Sequence, residues 1–132
     1  MFPETFIANV FQSICEDKGI IVLPAKIKWQ KKTCCTSWHA KRQAQITIGM
    51  HTISAWFEIG FNEYKSLRKY FPKREPGYES MWAIAVHEAA HALTDSGNLE
   101  SEHHSDVFAR CLYDLLIEYP FEDFENLIEE EE

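Results

Sequence analysis

Residues 79–94 read ESMWAIAVHEAAHALT, from Glu79 to Thr94, and the rest of the chain has to be arranged around what this stretch demands. It is almost continuously apolar apart from His87, Glu88 and His91, which describes a buried helix, and Gly97 is suited to its C-terminal cap. Residues four apart lie one above the other on a helix, so the imidazoles of His87 and His91 can reach one ion at the roughly 2.0–2.1 Å that zinc requires. Glu88 is turned about a quarter of the way round the axis, beside that ion and not on it. Two histidines and a glutamate in so dry a helix would cost several kcal/mol if unpaired, a cost that a metal removes.

The pattern His87-Glu88-Ala89-Ala90-His91 is HExxH, which a shuffled chain of this composition would contain only about 0.03 times. Two imidazole ligands with a neighbouring carboxylate match the division of labour in zinc metallopeptidases, where the glutamate takes a proton from a metal-activated water and passes it to the leaving amine. A catalytic zinc site also needs a third protein ligand and one open position. Asp95, Glu100, Glu102, His103, His104 and Asp106 are the downstream candidates, and spacing alone leaves His103 and His104 both open.

HExxH followed by a short loop and then His-Ser-Asp-Val-Phe, residues 104–108, resembles the SprT-like and YgjP-like zincins. In those families a His followed by Gly or Ser and, four positions on, by Phe opens the next helix. The resemblance therefore implies His104 as third ligand, with Phe108 in the aromatic place. The segment SDVFA also resembles the corresponding helix of ImmA/IrrE-type peptidases, in which a Glu stands where His104 does. The resemblance further implies a compact zincin-like α+β domain: an N-terminal helix, a small three- to four-stranded sheet, then helices carrying the ligands. It implies Zn2+ as cofactor, a protein or peptide as substrate, and a sheet edge beside the metal to which a peptide can add as a strand. Ser105 departs from the Gly of SprT itself, and neither a zinc ribbon nor a basic DNA-binding extension is matched, so a role in DNA–protein crosslink repair is not implied.

Outward from this helix the chain fits that order. Ile7, Val10, Phe11 and Ile14 recur at helical spacing, predicting an amphipathic helix over residues 4–17 that ends at Gly19. Ile20 to Leu23, Ile27 and Trp29, Cys35 to Trp38, and Ile46 and Ile48 predict three or four short strands, with Lys41-Arg42-Gln43 as a hairpin tip and Gly49 closing the section. Trp56, Ile59, Tyr64, Leu67 and Phe71 suggest helix over 52–71, and the run PKREPG, residues 72–77, is a loop. A further helix is expected from about Glu102 to Tyr119, stopped by Pro120. A length of 132 residues suits one domain, taken here as 1–128 with an acidic tail over 129–132.

The net charge of −8 is unevenly placed. Nine of the 21 acids follow Tyr113, and residues 1–113 carry 13 basic against 12 acidic side chains. Lys18, Lys26, Lys28, Lys31, Lys32, Lys41 and Arg42 meet no acid between Asp17 and Glu58. With Trp29, Trp38 and Trp56 nearby, this basic stretch raises nucleic-acid binding as an accessory role, ranked below core packing of the same aromatics. The four cysteines form no C-x-x-C pair, and neither a basic-then-apolar leader nor a run of about 18 apolar residues is visible, so a cytoplasmic protein without membrane partners is expected.

Among second-rank residues, His103 leads Tyr78, Tyr113 and Arg110 as a stabiliser of the oxyanion, Asp95 or Asp106 could orient an imidazole, and His39 and His51 read as ordinary residues. The reading that results is a zinc-dependent metallopeptidase with His87, His91 and His104 as ligands and Glu88 as general base. Its rival is a non-proteolytic, zinc-containing partner-binding module.

Overall fold

Pro3 opens the first helix because its fixed φ suits a first helical position, where a missing N–H costs nothing. The computed structural model describes residues 1–40, 42–58, 60–68, 70, 77–94 and 106–129. Helix α1, Pro3–Asp17, lies within a residue of its expected bounds, and Gly19 at φ +83° turns the chain away from it. Phe6, Ile7, Val10, Phe11 and Ile14 are all fully buried on one face. Each such side chain contributes about 1.5–3 kcal/mol over leaving it exposed.

Four strands follow: β1 (Ile21–Val22), β2 (Lys26–Lys28), β3 (Cys35–Ala40) and β4 (Gln43–Gly49). β3 pairs antiparallel with β4 along residues 43–47, so β1 and β2, both parallel to β4, must share its other edge. They are in effect one strand interrupted at Pro24. Ile21 faces Gln43 but Lys26 faces Thr47, which leaves one extra residue between them. β4 is therefore central, with Ala44, Ile46 and Ile48 in the core and even Gln45 and Thr47 buried. The β3–β4 hairpin turns at Arg42, whose φ is +60°, as the Lys41-Arg42-Gln43 reading anticipates. Lys41 itself lies outside the described residues.

Gly49 ends β4 for a steric reason. A Cβ there would sit 2.3 Å from the Thr33 carbonyl oxygen, because the segment leading into β3 folds down onto this point. The His51 N–H donates to the Lys31 carbonyl at 3.3 Å, and the Thr52 hydroxyl donates to that of Lys32, which pins the same segment.

The expectation of one helical stretch over 52–71 is corrected. The structure has α2 (Met50–Trp56) and α3 (Phe61–Leu67), separated by Glu58 in the left-handed region and by Gly60. Ile59 and Tyr64 are five positions apart, a step that turns about 140° on a helix and so joins two apolar faces rather than continuing one. Trp56 is consequently 54% exposed, while Tyr64 is fully buried and donates its hydroxyl to Glu4 Oε2 at 2.9 Å. Arg68 pairs with the same carboxylate.

Helix α4 (Tyr78–Thr94) packs between α1, α5 (Asp106–Glu118) and β3. A short 3-10 turn, Phe121–Asp123, and α6 (Glu125–Ile128) then close the core. Phe124 and Ile128 are buried there, and the N-terminal ammonium of Met1 donates to the Ile128 carbonyl at 2.8 Å. The architecture is thus α+β: among the described residues, six helices with a small open four-stranded sheet. No helix among the described residues is long and apolar enough to cross a membrane.

Candidate metal centre

Helix α4 carries His87, Glu88 and His91 on consecutive turns, as HExxH spacing requires. The two imidazoles converge, with Nε2 of His91 3.1 Å from Nε2 of His87 and ring planes 73° apart. A tetrahedral zinc ion with bonds of about 2.0–2.1 Å holds two nitrogens roughly 3.3 Å apart, so this donor pair fits one. Phe108, on the first turns of α5 and 4% exposed, holds both rings. It stacks on His91 with centroids 4.4 Å apart and meets His87 edge-on at 5.1 Å. Phe108 thereby packs α5 onto α4 at the level of the two imidazoles.

Glu88 points between α4 and the sheet and is 6% exposed. The Thr36 hydroxyl, on β3, lies 2.8 Å from Glu88 Oε1 and 3.1 Å from its backbone carbonyl oxygen. A hydroxyl has one proton to donate, and a carboxylate is the stronger acceptor. Thr36 thus fixes one oxygen of Glu88 and ties β3 to the helix at the level of the histidines. Nothing in the sequence singled out Thr36, because its partner lies 52 positions along the chain. Strand alternation does put Cys34, Thr36 and Trp38 on one face, a signal that needed only the strand's neighbour to become informative.

Beside His87 and Glu88 opens a cavity of about 360 Å³. Cys34 lines it, and burial pushes its thiol up to about 11, so it is neutral at ordinary pH. The neighbouring Cys35 Sγ lies 3.0 Å from Lys31 Nζ. All four cysteines are free thiols.

The other site candidates fall into three groups. His103, His104, Asp95, Glu100 and Glu102 lie outside the described residues, and among those described no group of three His, Cys, Asp or Glu side chains gathers at one point. Tyr78 is removed as an oxyanion donor: it is buried at the far end of α4, and its hydroxyl donates to the Met1 carbonyl at 2.5 Å. Tyr113, Arg110 and Asp106 are exposed on α5, on faces other than the one Phe108 presents.

The basic stretch is assembled differently. Lys26, Lys28, Lys31 and Trp29 line a second cavity of about 600 Å³ along β2, away from α4. Trp29 packs edge-on against Phe61 and is covered by Lys65 and Arg68, so the protein's own cations take the ring face that a base would use. The half-buried Trp38 packs against the core, and its Nε1 is buried with no hydrogen-bond partner among the described residues. His39 bonds Gln45 at 2.7 Å and His51 stacks on Phe61 at 3.9 Å, which leaves both in structural roles. Comparison of the chain with known protein families, with curated proteins and with solved structures returns no match.

Proposed function

We propose that this protein is a zinc-dependent metallopeptidase built on a compact zincin-like domain. One observation carries the reading: two imidazole nitrogens 3.1 Å apart, with a buried carboxylate on the adjacent helix position anchored by Thr36 and facing a cavity. His87 and His91 would hold the ion, with His104 as third ligand on the strength of the resemblance. Zinc, when bound, polarises a peptide carbonyl and lowers the pKa of water toward neutrality.

The chain's own residues supply the rest. Glu88 removes the proton from the attacking water and returns it to the departing amine. Thr36, bonded to Oε1, holds the carboxylate in one orientation for that transfer. Phe108 keeps the imidazoles in one orientation, the supporting role that metal ligands commonly need. β3 is paired on one edge by β4, and among the described residues no strand pairs its other edge, beside α4. An extended peptide can add there, which brings its backbone past Glu88. Protein or peptide is therefore the substrate proposed, and the free thiols suit a reducing, cytoplasmic setting.

Metal analysis and a peptidase assay on the purified chain test this. Near-stoichiometric zinc, lost in His104→Ala, is expected, together with cleavage of unfolded protein. Zinc-loaded protein without cleavage would overturn the enzymatic reading in favour of a zinc-containing partner-binding module.

A further inference from the structure

The cavity beside Glu88 has walls of a consistent kind. Ser80, Ala83 and Ile84 precede His87 by seven, four and three residues, so they continue its face of α4 downward. Cys34, on the approach to β3, forms the opposite wall, and Trp56 from α2 stands at the mouth. The space exists because Gly49 lets the segment before β3 fold inward and because the chain breaks after Trp56, leaving that indole 54% exposed.

We propose that this cavity is the specificity pocket of the enzyme and receives a bulky apolar side chain, aromatic or large aliphatic, from a residue flanking the cleaved bond. This rests on the peptidase reading above and adds the class of substrate. The size is right for a side chain: about 360 Å³ falls at the small end of ligand pockets, which run from roughly 300 to 1,000 Å³. The chemistry selects against charge. Among the described lining residues the ionisable ones are Glu88, His87 and the neutral Cys34 thiol, so an acidic side chain finds no lysine or arginine to pair with in the wall. A basic one finds only the carboxylate that must accept the reaction's proton. Thr52, also in the wall, has its hydroxyl committed to the Lys32 carbonyl. An exposed tryptophan at the rim gains burial when an apolar group enters. The lysine-lined cavity along β2 supplies the contrast, since it offers charge but touches neither His87 nor Glu88.

The test is a set of fluorogenic peptides, varied at the residues on each side of one cleavable bond, given to the zinc-loaded full chain. At one of the two positions, peptides with Phe, Leu or Met should exceed those with Ala, Asp or Lys in kcat/KM by about tenfold or more, the range open to an apolar pocket. Ala83→Trp, at an exposed position where folding is not at stake, should collapse the Phe-over-Ala ratio toward unity, and Trp56→Ala should lower it. In parallel, acetyl-phenylalaninamide and acetyl-alaninamide are titrated into the same protein while the methyl signals of Ala83 and Ile84 are followed by NMR. Cleavage without preference, and no shift with the aromatic probe, overturns the pocket and leaves the peptidase standing. No cleavage of any peptide, with the aromatic probe alone moving those methyls, overturns the peptidase and leaves an apolar binding pocket.

Discussion

The cleft between α4 and β3 and the lysine-rich edge along β2 lie on opposite sides of the same small sheet, and both drew attention in the sequence for their chemistry. They differ in convergence. In the cleft, side chains from positions 36, 87, 88, 91 and 108 are gathered by two elements packed on one helix, two imidazoles touching at 3.1 Å and a carboxylate anchored at 2.8 Å. Along β2 the cations are spread over an exposed strand, and the one aromatic ring among them is already covered. Lysines on an edge strand have a sufficient explanation in keeping that edge from pairing with other chains. Charge density in a sequence is thus a weaker guide to a site than residues whose burial must be compensated.

The sharpest way to break this contrast is Glu88→Gln. The amide keeps the shape and the Thr36 contact but cannot accept the proton, so kcat should fall by about 10²–10⁴ while zinc content is unchanged. Retained turnover would remove Glu88 from the reaction. Gly49→Ala acts on the same side of the sheet through packing, because the added methyl would sit 2.3 Å from a backbone oxygen that no rotamer can move. A loss of about 2–3 kcal/mol in denaturant unfolding is expected, and a change below 0.5 kcal/mol would mean the segment before β3 yields freely.

Thr36→Val is the smaller and more specific change. It preserves volume on β3 and removes the donor to Glu88, so about 1–2 kcal/mol of charge-assisted bonding is lost at the base. The expected result is a roughly tenfold lower kcat with KM little altered, whereas a merely structural threonine would lower stability and leave kcat alone.

The buried side of the molecule should also answer to pH. Burial raises the Cys15 thiol from 9.0 to about 12 and pushes the Tyr64 phenol upward as well. Below pH 9 both states keep these protons and stability is flat. Between about 9 and 12 the unfolded chain releases protons that the folded one retains, so stability declines as pH rises, by at most about 1.4 kcal/mol per unit for each group. Urea midpoints from pH 8 to 11 check this, and Cys15→Ala should show the shallower slope.

How much of this was legible follows the same division between local and distant causes. Helix α1 and the HExxH helix could be read because periodicity, proline and glycine all act within a few residues. The hairpin tip was legible for the same reason. The break between α2 and α3 was hidden by a non-glycine residue, Glu58, taking a left-handed conformation. Closure of the core by residues 120–128 was not foreseen, because Phe124 and Ile128 stand in a short stretch with Glu122, Asp123 and Glu125 whose few apolar residues show no long period. At the candidate site, the two imidazoles and the glutamate were readable from one helix, whereas Thr36 and Trp56 reach the Glu88 region from elements that only the fold brings together.

The smallest effect is predicted for the lysine edge, and it is the one that tests the contrast most directly. In Lys26→Glu/Lys28→Glu the strand stays charged, so protection of the β2 edge is preserved while the sign of the patch inverts. If these lysines only guard the edge, peptide cleavage should change by less than about twofold, because screening at about 0.15 M salt confines exposed charges to some 8 Å. Binding to single-stranded DNA or RNA should be negligible before and after the change. Steeply salt-dependent binding by the parent chain, abolished by the two substitutions, would instead make the edge a second functional surface. Trp29 would then have to shed Lys65 and Arg68 to stack on a base, so replacing those two cations should strengthen such binding per stacked base even as it removes charge.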